Sequence, residues 1–313
     1  MALVSKRAIA LLALLGVTVI WGATFLWMKL ALNAATEVLG TGSTEVATGL
    51  FLTMRFGIAA LLLPLLVKGA RQRDALCPGL FRGAGLLGVL LLSGFLVQMI
   101  ALEDITPAVS AFLTSLYVIF TALLSLFSSR HRHISLALFG GVALATLGAA
   151  FISGPPQLSF DTAEWLTVLC AFLFAGSILA TDHTTRRYPP AMVSMVSFCV
   201  VTLGAGGYLT YLLQQPDAPG LGQLGTLLAT PGFLVPLLCC SLLATLIALT
   251  VLNHFQRYVS PVRAATLYSL EPVWGGIISI AVGAEVLDPW LAGGAGALLL
   301  GNLVAELGPK KAT

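Results

Sequence analysis

The chain has 313 residues, of which 58% are hydrophobic and only 9% are charged. A soluble protein carries about 25% charged residues, so this composition excludes an ordinary soluble domain and indicates an integral membrane protein. The net charge of +3 does not indicate a nucleic-acid partner, because the basic residues fall between apolar runs, where they orient helices. The five cysteines have neither metal-ligand nor CxxC spacing, and we expect no metal or other cofactor.

Apolar segments of about 20 residues recur along the chain, with turn signals between them. This length is typical of a helical bilayer span and is too long for barrel strands. The pattern predicts an all-α polytopic membrane protein of ten transmembrane helices. In chain order, spans 1 to 10 are predicted at Ala8–Leu32, Val46–Val67, Leu80–Leu102, Pro107–Phe127, Ile134–Ser153, Ala163–Thr181, Pro190–Leu213, Pro231–Leu252, Pro261–Val282 and Pro289–Leu307.

Charged residues between the spans separate by sign. Fourteen of the sixteen Lys and Arg residues fall on one side, namely Lys6, Arg7, Lys68, Arg71, Arg73, Arg82, Arg130, Arg132, Arg186, Arg187, Arg257, Arg263, Lys310 and Lys311. The loops on the other side carry acids only, among them Glu37, Glu103 and Asp217. By the positive-inside rule the basic side is cytoplasmic, so both termini are expected in the cytoplasm.

The chain contains an internal repeat with an offset of 154 residues. Laid over each other without gaps, 107–116 and 261–270 agree at five of ten positions, which pair Pro107 with Pro261, Ala111 with Ala265, Leu113 with Leu267, Ser115 with Ser269 and Leu116 with Leu270. The matches predict two five-helix repeats, residues 1–153 and 154–313, in one membrane domain.

Because five is an odd number, the second repeat must enter the membrane from the side opposite to the first. Such an inverted repeat favours a transporter whose site lies near the midplane between the halves. The alternative is a fusion of two halves that serves stability alone.

Two charged residues fall deep inside predicted spans, Arg55 in span 2 and Glu271 in span 9. Either they form a salt bridge that ties the helices together, or they face a cavity, where Glu271 would bind an ammonium group and Arg55 a carboxylate. Glu271 could also take up a proton. Pro272 has no N–H for the carbonyl of Tyr268, so we expect a hinge there. Lys29, near the predicted outer end of span 1, is expected to snorkel to the interface.

Further candidate substrate-binding residues are aromatic or small and polar. The aromatic ones are Trp21, Phe25, Tyr117, Tyr268 and Trp274, and the hydrogen-bonding ones are Thr24, Gln98, Ser115 and Ser269. If these side chains line a cavity, they favour a flat, apolar or aromatic solute. Packing between helices is the alternative for the aromatic residues, and bonding to their own backbone is the alternative for the hydroxyls.

Spans 5 and 10 are rich in glycine, which lets backbones approach closely. We expect these two spans to pack on each other within a monomer, or alternatively on a second subunit in a homodimer. The glycines concerned are Gly140, Gly141, Gly148, Gly293, Gly294, Gly296 and Gly301.

Several of these features together resemble the drug/metabolite transporter superfamily. They are the run Trp21-Gly22-Ala23-Thr24-Phe25, Arg55, the repeated segment from Pro107 to Phe120, and the step Glu271-Pro272-Val273-Trp274. The chain is similar to the EamA-type ten-helix exporters, and among them to the aromatic amino-acid exporters. One departure is that the first repeat has Tyr117-Val118 where the second has Glu271-Pro272.

This resemblance implies export of metabolites from the bacterial cytoplasm across the inner membrane. It also implies a central cavity surrounded by spans 1–4 and 6–9, with spans 5 and 10 outside. The expected partners are a small-molecule substrate, an amino acid or related metabolite, and the lipid bilayer.

Other classes of protein fit less well. An enzyme would need a nucleophile with a base, or metal ligands, at membrane depth, but the four histidines fall in loops or at a helix edge, at positions 131, 133, 183 and 254. The remaining alternative is a multidrug or organic-cation exporter, in which Glu271 alone would act as counter-ion. Arg55 distinguishes the two hypotheses, because only a substrate with an anionic group needs it.

Overall fold

The structure is a computed structural model that describes residues 2–126, 136–151, 160–283, 286 and 288–306. Within these ranges the chain is helical and contains no strand, as expected. The helices are α1 (Ala2–Leu39), α2 (Thr44–Leu66), α3 (Pro78–Ala101), α4 (Pro107–Thr114), α5 (Tyr117–Leu126), α6 (Leu136–Phe151), α7 (Thr162–Thr185), α8 (Pro190–Leu212), α9 (Leu221–Ala229), α10 (Pro231–Cys239), α11 (Ala248–Phe255), α12 (Pro261–Tyr268), α13 (Glu271–Ala281) and α14 (Pro289–Glu306).

Seven helical segments in the described part of the chain are long and apolar enough to cross a membrane. They are Ala8–Leu39, Thr44–Leu66, Pro78–Ala101, Pro107–Leu126, Thr162–Thr185, Pro190–Leu212 and Pro231–Tyr258. Helices α6, α12 with α13, and α14 occupy the positions of predicted spans 5, 9 and 10. The count of ten spans stays a prediction. Arg130, Arg132, Lys310 and Lys311, on which the predicted sidedness partly depends, lie outside the described residues.

Two segments that lie between predicted spans are partly helical. Span 1 was predicted to end at Leu32, but α1 continues to Leu39 and ends before Gly40, whose φ of 90° is one that glycine adopts readily. Residues 214–230, between predicted spans 7 and 8, contain α9, whose first turn is capped by Gln223 Oε1 accepting from the N–H of Gly220 at 3.0 Å. In both cases local capping extends helical structure beyond the apolar core of the span.

Spans 4 and 9 are both broken, and they break at equivalent positions. Helix α4 ends at Thr114 and α5 begins at Tyr117, and 154 residues later α12 ends at Tyr268 and α13 begins at Glu271. In the first break Leu116 N donates to Leu113 O at 3.1 Å, and in the second Leu270 N donates to Leu267 O at 3.2 Å.

The serine hydroxyls of the two breaks also bond alike. Ser115 Oγ donates to the carbonyl of Phe112, and Ser269 Oγ donates to that of Thr266, each at 2.7 Å. Pro272 predicted the second break. The first has no proline, and we did not expect it.

Contacts between helices occur in pairs that match the proposed repeat. Helix α1 packs against α13, which is part of predicted span 9, and its counterpart α7 packs against α5, which is part of predicted span 4. In the same way α3 packs against α7, and α1 packs against α10 and α11, the counterparts of α3 in predicted span 8. Counterpart helices also contact each other directly, α2 with α8 and α6 with α14. This pairing is expected of a duplicated chain and supports the repeat as a proposal.

The glycine-rich helices α6 and α14 pack on each other within the monomer. A Cβ atom added to Gly148 would lie 2.4 Å from Leu298 N and 2.6 Å from Gly294 O, so the backbones approach too closely for any side chain there.

Candidate functional site

A cavity beside the two helix breaks has an empty volume of about 670 Å³, including its mouth. Helices α1–α5, α7 and α11–α13 contribute to its wall, whereas no described residue of α6, α8 or α14 does. Helix α8 occupies the position of predicted span 7, which was expected to surround the cavity. The lining residues are Trp21, Thr24, Arg55, Leu87, Leu91, Phe95, Gln98, Thr114, Tyr117, Phe174, Ser177, Ile178, Thr181, Leu249, Leu252, Asn253, Gln256, Tyr268 and Glu271.

Seven of the predicted site residues line this cavity, and four do not. The seven are Trp21, Thr24, Arg55, Gln98, Tyr117, Tyr268 and Glu271. Phe25 is buried in the core cluster of α1, α2 and α3 instead. Ser115 and Ser269 bond carbonyls of their own helices, and Trp274 packs its Cβ against Gly22. The small hydroxyls thus follow the alternative that we kept open for them.

Arg55 is buried, with 1% of its surface exposed, and has no carboxylate partner among the described residues. Its Nε donates to Thr245 Oγ1 at 2.7 Å, and its Cζ lies 4.5 Å from the centroid of the Phe95 ring. Both contacts fix the guanidinium group without neutralising it. A buried charge of this kind is costly unless an anion accompanies it, so Arg55 is suited to bind an anionic group of a ligand.

The bond to Arg55 depends on a π-helical segment, Cys240–Ile247, that lies between α10 and α11. Thr245 in this segment accepts from Arg55, and the carbonyl of Ala244 accepts from Trp21 Nε1 at 3.1 Å. A π segment shifts the hydrogen-bond register and is often found at functional sites. Residues 240–247 include no proline or glycine, so this shift of register could not be predicted from the segment itself.

Glu271 begins α13 and is 8% exposed. Its Oε2 accepts from Tyr117 Oη at 3.5 Å, and Tyr117 begins α5. Glu271 does not form an ion pair with Arg55, so the salt bridge that we considered between them is absent. The cavity wall therefore carries a guanidinium group and a carboxyl group that do not pair with each other.

Polar side chains at the cavity wall are held by their neighbours. Tyr268 Oη donates to Gln256 Oε1 at 3.1 Å, and Gln256 Nε2 donates to the carbonyl of Ile178 at 2.7 Å. The ring of Tyr268 meets that of Trp21 edge to face with centroids 5.7 Å apart. These contacts join α1, α7 and α12 and preorganise the aromatic wall.

Several lining residues escaped the sequence analysis. Asn253 Nδ2 donates to Ser194 Oγ at 2.8 Å, and Gln256 lies just beyond α11, in a segment that we had assigned to a loop. Phe95 and Phe174 meet edge to face at 5.1 Å in the apolar wall. The sequence does not show which face of a helix these amides and phenylalanines occupy, and their role depends on that face.

Lys29 directs its ammonium group to the segment between predicted spans 3 and 4, and its snorkelling to the interface stays a prediction. Its Nζ donates to the carbonyls of Leu102 and Glu103 at 2.7 Å each, and to that of Ile105 at 3.3 Å. Helix α1 continues ten residues beyond Lys29, whose ammonium group caps the C-terminal end of α3.

Comparison with known proteins agrees with this architecture. An uncharacterized transporter of the archaeon Archaeoglobus fulgidus is 29% identical over 307 residues, covering 96% of this chain and 87% of the relative. A solved crystal structure matches with a TM-score of 0.64 at 18% identity and covers 96% of this chain and 98% of the matched one, which indicates a shared fold. The model of the EamA-like transporter family matches twice, at residues 8–154 and 161–306. The chain therefore belongs to the EamA-like transporter family, whose members are membrane transporters.

Proposed function

We propose that this protein exports small zwitterionic metabolites, above all amino acids with aromatic or other apolar side chains, by alternating access through the central cavity. The observation that carries the proposal is that Arg55 and Glu271 line one cavity, are both nearly fully buried, and do not pair with each other. A zwitterion supplies the missing partner of each. Arg55 would bind its carboxylate and Glu271 its ammonium group.

The apolar wall supports the choice of side chain. Leu87, Leu91, Phe95, Phe174 and Leu249 face the same space as the two charges. Burying an apolar side chain against such a wall contributes roughly 25 cal/mol per Å² of area removed from water. A polar side chain would instead leave its hydrogen bonds unmade there.

An organic-cation exporter is the second candidate, and it is favoured by the aromatic rings beside Glu271. Trp21, Tyr117 and Tyr268 could hold a cation over their faces. This candidate gives no role to Arg55, which is 1% exposed and has no carboxylate partner among the described residues. We therefore rank it below the zwitterion.

The transport cycle is proposed to follow from the repeat. Two oppositely inserted halves can rock about the site near their seam, and the breaks before Tyr117 and Glu271 are natural pivots. Pro272 would act as the hinge of the second break, since it prevents the helix from reforming across it. The proposal includes that the substrate moves out of the cytoplasm and that Glu271 takes up a proton during the cycle.

Counterflow of labelled phenylalanine in proteoliposomes tests the function. Wild-type protein should accumulate label against unlabelled phenylalanine inside, while Glu271→Gln and Arg55→Gln should not. Glu37→Gln and Arg186→Gln serve as matched controls, because both positions lie outside the cavity wall. Normal phenylalanine counterflow by Arg55→Gln, together with loss in Glu271→Gln, would favour the organic-cation alternative.

A further inference from the structure

The two helix breaks each leave a carbonyl oxygen without a backbone donor. In an unbroken helix the carbonyl of Thr114 would accept from Val118 N, but that group donates to Ser115 O at 3.1 Å. The carbonyl of Tyr268 would accept from residue 272, which is a proline without an N–H. Across the described ranges, no other backbone N–H donates to either oxygen.

Both of these residues line the cavity, next to the carboxylate. Tyr268 is three residues before Glu271, and Thr114 is three residues before Tyr117, whose hydroxyl contacts Glu271. The breaks are therefore adjacent. The two carbonyls that the breaks leave without a backbone donor belong to residues of this wall, which also carries the carboxylate of Glu271, so together they are three acceptors.

An unpaired carbonyl at membrane depth is costly, and a ligand that donates to it removes the cost. A primary ammonium group has three N–H donors in a compact cone, one for each acceptor. Each N-methyl group replaces a donor by an apolar group and leaves an acceptor without its bond.

We propose that the two breaks and Glu271 form a subsite for a primary ammonium group, with the carbonyls of Thr114 and Tyr268 and the carboxylate of Glu271 each accepting one N–H. The subsite rests on the proposed function in placing the substrate amine at Glu271, and it adds selection of primary amines over N-methylated ones. It also explains why span 4 is broken without a proline, since both carbonyls are needed.

Two series of ligands test the subsite on purified protein, with protection against thermal unfolding as the measure of binding. The first is phenylalanine with one, two and three N-methyl groups, and the second is phenethylamine methylated in the same way. We expect the dissociation constant to rise at least about tenfold with each methyl group in both series, as for loss of a hydrogen bond to a buried acceptor.

The outcomes separate this inference from the proposed function. If the trimethylated compounds bind as well as the primary amines, an aromatic cage holds the cation and the subsite is wrong, whether or not phenylalanine is the better ligand. If phenethylamine binds as well as phenylalanine but methylation still weakens both, the zwitterion proposal fails and the subsite stands. Failure of every amine to bind would overturn both.

A variant of the backbone adds a second test. Pro272→Ala supplies an N–H that can donate to the carbonyl of Tyr268 and occupy one acceptor. We expect this variant to lose about tenfold of the selectivity between primary and dimethylated amines. Pro236→Ala, in α10 and outside the cavity wall, is the control and should keep wild-type selectivity. Unchanged selectivity in Pro272→Ala would contradict the role given to that carbonyl.

Discussion

Tyr117 and Glu271 contact each other across the seam of the molecule, Oη to Oε2 at 3.5 Å, although 154 residues separate them in the chain. The same offset relates the two matching segments of the sequence, so the contact joins equivalent positions of the proposed repeats. Equivalent positions can meet only where a pseudo-twofold axis passes between them. Glu271, the acidic residue in the described part of the cavity wall, therefore lies at the proposed axis, where the halves would rock against each other.

The contact predicts a graded effect of two substitutions. Tyr117→Phe removes one hydrogen bond to the carboxylate, which contributes roughly 1 kcal/mol, so we expect a several-fold decrease in the rate of phenylalanine counterflow. Glu271→Gln removes the charge and should abolish it. Initial rates at equal reconstituted protein measure both. A larger loss in Tyr117→Phe than in Glu271→Gln would show that the hydroxyl, and not the carboxylate, binds the substrate.

Gly22 sets the distance between α1 and the helix that carries Glu271. A Cβ atom at Gly22 would lie 2.6 Å from Trp274 Cβ, 2.8 Å from Gly275 N and 2.9 Å from Glu271 O, and backbone atoms cannot move aside alone. We expect Gly22→Ala to displace α13, lower thermal stability by roughly 1–3 kcal/mol and weaken transport.

Gly16 provides the matched control on the same helix, since an added Cβ there meets nothing within 4 Å. Gly16→Ala should be neutral or slightly stabilising, because alanine favours a helix by up to about 1 kcal/mol over glycine. Equal melting temperatures for the two variants would contradict the close contact between α1 and α13.

Lys29 ties α1 to the segment between α3 and α4. Lys29→Met keeps the apolar stem but removes three hydrogen bonds to carbonyls, so we expect a loss of roughly 1–3 kcal/mol in stability. Lys68→Met, at an exposed position, is the control and should leave the melting temperature unchanged. A stable Lys29→Met protein would indicate that water satisfies these carbonyls and that the lysine can reach the interface.

Much of the fold could be predicted from the sequence because a bilayer makes a simple demand, a run of about 20 apolar residues for each span. Glu271 and Arg55 stood out for the same reason, since charges are costly at that depth. The break at Ser115 and the π segment around Thr245 could not be predicted. They depend on bonds between distant residues, such as Asn302 Nδ2 to Ser115 Oγ at 3.1 Å, which no local pattern records.

The orientation of the two halves can be tested with single cysteines. In a background without the five native cysteines, Thr106→Cys and Ser260→Cys place equivalent exposed residues before α4 and α12. We expect an impermeant thiol reagent added outside intact cells to label position 106 only. Position 260 should react only after permeabilisation. Labelling of both from the same side would contradict the inverted repeat.

The pairing of each charge with one end of the substrate is tested most directly by combining ligand and protein deletions. Dissociation constants are measured for phenylalanine, phenethylamine, which lacks the carboxylate, and 3-phenylpropionate, which lacks the amine, on wild type, Arg55→Gln and Glu271→Gln. If Arg55 binds the carboxylate, a ligand without the carboxylate binds wild type at least about tenfold more weakly than phenylalanine does, whereas Arg55→Gln binds the two ligands about equally. If Glu271 binds the amine, Glu271→Gln likewise binds ligands with and without the amine about equally. If each ligand deletion costs all three proteins equally, the charges do not meet the substrate and the zwitterion site is wrong.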